Sequence, residues 1–74
     1  MPVEETKTVR IAVNGDSRQV AEGSSVLELL AGLDLDPERV AIELNGGILK
    51  KALWAGRQLT GGEELEIVHF VGGG

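Results

Sequence analysis

The sequence has no cysteine. That excludes disulfide staples, a thiolate metal site, and a cysteine nucleophile or persulfide on this chain, and it agrees with a cytosolic setting. Tyrosine is also missing, and there is one residue each of tryptophan, phenylalanine and histidine. With a single histidine, a metal site would have to rest on carboxylates, and none are grouped at ligand spacing. As a general base His69 would need an orienting partner that the sequence does not identify, so packing or partner contact is the favoured role. Neither G-x-x-x-x-G-K-[ST] nor G-x-G-x-x-G occurs, which leaves no recognisable means of holding a nucleotide. No apolar run approaches the ~20 residues of a membrane span. The opening "MPVEETKTVR" lacks the apolar core of a secretory leader. The expectation is a soluble, cytoplasmic protein with no membrane partner. The net charge of -5 opposes nucleic acid and suits a basic protein surface. As a self-contained enzyme, the chain is poorly equipped.

What is present is a single small domain. At 74 residues the chain buries only about 60% of the surface its unfolded form exposes, so modest stability is expected. The domain is placed at residues 1–70, with 1–6 loose and 71–74 a flexible tail.

"TVRIAVNGDSRQVA" alternates Val9, Ile11 and Val13 with Arg10 and Ala12, a strand with one apolar face. Asn14-Gly15 suits the positive φ angles of a tight hairpin, with Val20 on the returning strand. In "EGSSVLELLAGL" the period changes. Val26, Leu29, Leu30 and Leu33 fall on one helical stripe, and Ser25 with Glu28 reads as a capping box rather than a catalytic carboxylate. Gly32 is expected to close the helix in a left-handed cap. "LDLDPER" is turn-rich, with Pro37 discouraging helix at Asp36. "VAIELNGG" returns to period two, with Val40, Ile42 and Leu44 inward, Ala41 and Glu43 outward, and a second Asn-Gly turn before a short strand in "ILK". "KALWAGRQL" reads as one helical turn plus loop. Trp54 is read as packing in preference to a ligand platform.

The last segment, "LTGGEELEIVHFVGGG", carries the functional question. After a Gly61-Gly62 turn, Leu65 and Ile67 face inward while Glu66, Val68 and Phe70 face the other way. Val68 and Phe70 are open to two readings, a contact patch or core. Glu63, Glu64 and Glu66 read as a solvated face that could match a basic partner. The terminal glycines are equally open. They are either a loose end or a thread that lets the terminal carboxylate enter a narrow site on another protein, since glycine has no Cβ. The element order is strand, strand, helix, strand, short strand, irregular turn, strand. That is an α+β domain, a mixed sheet of four to five strands with one main helix on one face.

The arrangement, with "VAIELNGGIL", the Trp54 segment, the glycine turn before "LEIVHF" and the terminal "VGGG", resembles the ThiS family of sulfur carriers in thiamin biosynthesis. The resemblance covers nearly the whole chain after the first few residues and implies the β-grasp, ubiquitin-like fold. It also implies a chemistry. An E1-like adenylyltransferase, ThiF, would use ATP and magnesium to adenylate the carboxylate of Gly74. Sulfur would displace AMP and leave a thiocarboxylate on that carbon, and the carrier would give the sulfur to thiazole synthase, ThiG. Gly74 would be the attachment point, Gly73 its partner in the Gly-Gly motif, and Gly72 an extension of the thread. Val68, Phe70 and Val71 would lie where such carriers meet their partners. The chain itself would bind no cofactor or metal, would not be an enzyme, and would be a monomer when free. Two loops depart from the pattern: "GILKKALW" replaces a Pro-Arg pair before the tryptophan, and "TGGEE" replaces an aspartate-rich turn.

Rival readings share the fold. The molybdopterin-synthase small subunit usually has a proline-containing segment before Gly-Gly, which "HFVGGG" lacks. Carriers for tRNA thiolation or cysteine synthesis are harder to separate. A ubiquitin-like modifier would pass the same activated carboxylate to an amine, and a plain binding module would leave the tail inert.

Overall fold

A computed structural model describes residues 7–70. The expected loose start at 1–6 and the tail positions Val71, Gly72, Gly73 and Gly74 lie outside the described residues.

The first hairpin forms as its spacing predicts. Strand β1 (Thr8–Val13) pairs antiparallel with β2 (Asp16–Ala21), closing Val13 onto Asp16 across Asn14-Gly15. Asn14 and Gly15 have φ of 51° and 86°, the signature of a two-residue turn whose twist matches that of the strands. A second loop of the same kind, with Asn45 and Gly46 at 52° and 87°, joins β3 (Val40–Leu44) to the short β4 (Gly47–Ile48). The last strand, β5 (Glu64–His69), pairs antiparallel with β3 over five residues and parallel with β1 over two. The sheet order is β2-β1-β5-β3-β4, so β5 lies at the centre.

One helix, α1 (Val26–Gly32), covers one face of this sheet. It is seven residues long, too short to persist without tertiary support. Support comes at both ends. Ser25 Oγ accepts from the Glu28 N–H at 3.0 Å while Glu28 Oε1 accepts from the Ser25 N–H at 2.8 Å. The next two N–H groups, of Val26 and Leu27, donate to the carbonyls of Arg57 and Trp54 in the loop before β5. These are groups a helix start otherwise leaves without partners.

The C-terminal end differs from the sequence expectation. Gly32 is the last helical residue, and the left-handed position is Asp34, with φ of 60°. The N–H of Leu35 reaches the carbonyl of Leu30 and that of Asp34 reaches Ala31, the Schellman pattern, with Leu35 packed against the core cluster that includes Leu30. Two extra residues beyond Gly32 let Leu33 and Leu35 both pack on the core, which is why the stop falls at aspartate.

The core is formed by the inward residues of β1, β3 and β5 with the α1 stripe; Ile11, Leu30, Ile42, Leu65 and Val26 are the largest fully buried side chains. Trp54, 3% exposed, joins them from a 3-10 turn at Lys51–Leu53, and its Nε1 donates to the Leu49 carbonyl at 2.9 Å. Trp54 is packing, as expected, and its one polar atom is satisfied.

The capping box yields a stability test. Ser25→Ala leaves the Glu28 N–H without its acceptor and should cost about 1 kcal/mol. For a domain this small the thermal midpoint should fall by roughly 4–8 °C. An unchanged midpoint by circular dichroism would show that the loop contacts alone hold the helix start.

Candidate functional site

Among the described residues the helix covers one face of the sheet and nothing covers the other, so the alternation of each strand decides which residues remain outside. On β5 the inward set is Leu65, Ile67 and His69, and the outward set is Glu64, Glu66 and Val68. Leu65 is 1% exposed, whereas Val68 is 50% and Phe70 55% exposed. The open question about Val68 and Phe70 is thereby answered: they are surface, not core. Ala41 sits directly opposite Val68 on β3. Ile48, paired with Glu43 on β4, adds the most exposed large apolar side chain of the described residues at 83%. Phe70, Ala41 and Ile48 line one shallow groove. Single exposed apolar residues are ordinary, whereas several on one face of a sheet are the composition that a contact surface needs.

Charge on this face is arranged against stability. Glu43 and Glu66 stand opposite each other on β3 and β5, and like charges in that position repel. On the outward face they are the next pair along from Ala41 and Val68, so the apolar residues have this carboxylate pair on one side, with Lys50 and Lys51 lining the groove beside Phe70. A basic partner surface would relieve the repulsion on docking.

Glu63 does not share that solvated face. Its carboxylate accepts from the Thr60 N–H at 2.7 Å and from Asn45 Nδ2 at 3.5 Å, and it pairs with Arg57. With 11% side-chain exposure, it ties the Gly61-Gly62 turn to the β3–β4 turn. The sequence reading of three equivalent glutamates is corrected here, because the tight turn aims Glu63 back at its own loop.

His69 lies on the inward side of β5, opposite Val40, at the open end of the sheet. It lines a groove with Asn14, Asp16, Arg18, Leu33 and Leu35, which fits contact better than catalysis. Among the described residues no group of His, Asp and Glu could hold a metal ion. Of the predicted site residues, then, Val68 and Phe70 are brought to one surface, and Val71, Gly72, Gly73 and Gly74 are outside the described residues. Sequence reasoning missed Ile48 and Ala41. The signal was available, because a two-residue Asn-Gly loop sets Leu44 against Gly47 and hence Ile48 on the outward side.

The five-stranded mixed sheet with β5 between β1 and β3, and one helix across a single face, defines a ubiquitin-like β-grasp protein. A designed protein built on human erythrocytic ubiquitin shares this fold, with a TM-score of 0.53 at 19% identity. The chain belongs to the ThiS family, whose family model matches residues 11–74. It is similar to the solved thiamine biosynthesis protein ThiS of Geobacter metallireducens, with 35% identity and a TM-score of 0.76 over 89% of this chain and 100% of that one. It is 35% identical to the uncharacterized protein ycf40 of Porphyra purpurea, over 92% of this chain and 96% of that protein. It is also 33% identical to part of a thiazole synthase of Magnetococcus marinus, over 89% of this chain. The chain spans only 20% of the length of that relative and of a second thiazole synthase, from Paramagnetospirillum magneticum.

Glu66→Gln removes the facing charge while keeping size and the strand. It should raise stability by a few tenths to about 1 kcal/mol, read as a higher denaturant midpoint. A lower midpoint would mean that the carboxylates do not repel across the pair.

Proposed function

We infer that the protein is a sulfur carrier for the thiazole step of thiamin biosynthesis, working in the cytoplasm as a substrate of other enzymes. The observation that carries this reading is the thiazole synthase relatives, in which a segment like this chain forms one-fifth of the protein. A carrier segment and the synthase joined in one chain are expected of two proteins that must meet. The family match through residue 74 supports a working role for the tail.

The chemistry follows from what the chain lacks and has. A carboxylate is a poor acyl donor, so it is first activated. An oxygen of the Gly74 carboxylate attacks the α-phosphorus of ATP in the site of a ThiF-like adenylyltransferase, with magnesium, and pyrophosphate leaves. Hydrosulfide then attacks the acyl carbon, AMP departs as the acyl–oxygen bond to phosphate breaks, and loss of the sulfur's proton leaves the thiocarboxylate. The sulfur therefore needs no cysteine on the carrier. The face bearing Val68 and Phe70 docks the domain, with Val71 a further partner contact, while Gly72 and Gly73 pass through a channel too narrow for a Cβ. Delivery to a ThiG-like thiazole synthase uses the same face and tail.

Incubation with a ThiF-like enzyme, ATP, magnesium and a sulfur source should raise the intact mass by the difference between one sulfur and one oxygen. An unchanged mass, under conditions that convert a known carrier, would sink the reading. Thiocarboxylated protein should then support thiazole formation and not molybdopterin formation when the two synthases are supplied side by side.

A second outcome tests the threading. Gly73→Val should keep the wild-type thermal midpoint and lose adenylation by at least about 100-fold, the scale of an ångström-level misplacement at a reacting centre. Equal rates would exclude a narrow channel.

A further inference from the structure

The central strand is held on its two sides in different ways. Towards β3 its hydrogen bonds run to the end of the described chain, finishing with the Phe70 N–H on the Arg39 carbonyl at 2.8 Å. Towards β1 the backbone ladder is short. The carbonyls of Glu63 and Leu65 accept from the N–H groups of Ala12 and Asn14, both at 2.9 Å. Then β1 turns away into its hairpin, and among the described residues no backbone pairs with the next rung on that side, Ile67.

The side chain of Asn14 fills that rung. Its Oδ1 accepts from the Ile67 N–H at 2.7 Å, and its Nδ2 donates to the Ile67 carbonyl at 3.2 Å. A carboxamide carries the same donor and acceptor pair as a peptide group, so it extends the parallel ladder by one residue without any further strand. Asn45 clamps the other end from the opposite neighbour. Its Oδ1 accepts from the Glu64 N–H at 2.9 Å and its own N–H donates to the Glu64 carbonyl at 2.7 Å.

We propose that Asn14 is a positioning residue for the carrier reaction: its amide secures the β1 side of β5 at Ile67, beyond the last backbone rung, and so helps fix the direction in which the strand leads towards the tail. The role rests on the sulfur-carrier reading above. Without the amide, β5 beyond Leu65 is held from the β3 side alone, so it can tilt away from β1, and fewer encounters would place the carboxylate at the nucleotide. Turn geometry alone does not require the amide, because glycine would satisfy the φ of 51° equally well.

That difference supplies the test. Asn14→Gly keeps the left-handed turn and removes the clamp; Asn14→Asp keeps the size and loses the donor to the Ile67 carbonyl. In Asn14→Gly the Ile67 amide should exchange with solvent about tenfold faster than in the wild type, the effect of losing two ordinary hydrogen bonds on local opening, while in Asn14→Asp, whose carboxylate still accepts from the Ile67 N–H but repels the Ile67 carbonyl, the rise should be smaller. Val20, in the same hairpin, should keep its protection. At a temperature where each variant is fully folded, kcat for adenylation should fall about tenfold with KM within roughly twofold, since the docking face is intact. A purely structural role would leave kcat of the folded protein unchanged. Unaltered Ile67 exchange would overturn the clamp, and faster exchange with unaltered kcat would overturn the positioning role. A wild-type protein that is never adenylated would overturn the carrier reading and the positioning role together, while the Ile67 exchange would still decide whether the clamp exists.

Discussion

Everything in this domain depends on the insertion of β5 between β1 and β3. The pairing joins the two ends of the chain, since Asn14 and Ile67 are 53 residues apart in sequence. Until that pairing forms, the first hairpin and the β3–β4 hairpin share no sheet. Leu65, the most buried residue of β5, is the apolar contribution that draws the strand in. Backbone bonds on both sides then fix its register. Placing the final strand at the sheet's centre also means that the segment following it departs from the most firmly held element.

The helix shows the same dependence on long-range contacts. Seven residues cannot hold a helix in water, and α1 is stabilised by carbonyls from residues 54 and 57 as much as by its own bonds. The loop that supplies them is anchored by Trp54 in the core and by Glu63 at the turn before β5. Sheet, helix and loop therefore stabilise one another, as expected of a chain too small to carry independent units.

The uncovered face departs from this mutual support. Val68, Phe70 and Ile48 leave apolar area in water, and Glu43 faces Glu66. Both features weaken the isolated domain slightly and both are relieved by a partner with an apolar centre and basic rim.

Much of this was legible in the sequence, because period and turn chemistry are local. The alternation of Val9, Ile11 and Val13, the leucine stripe of α1, the Ser25 and Glu28 cap and both Asn-Gly turns act within a few residues of themselves, and each forms as read. The outward direction of Val68 and Phe70 followed from the same alternation. Whether outward meant exposed did not, since a second layer over that face would have buried them, and only the placement of α1 on the other side decided it. The left-handed stop at Asp34 was set by the packing of Leu33 and Leu35. Glu63 became a structural hub because a turn aimed it at Asn45 and Arg57. Asn14 is the clearest case. Its turn was determined by two adjacent residues, whereas its amide found a purpose only when a strand 53 positions away lay alongside with one rung unfilled.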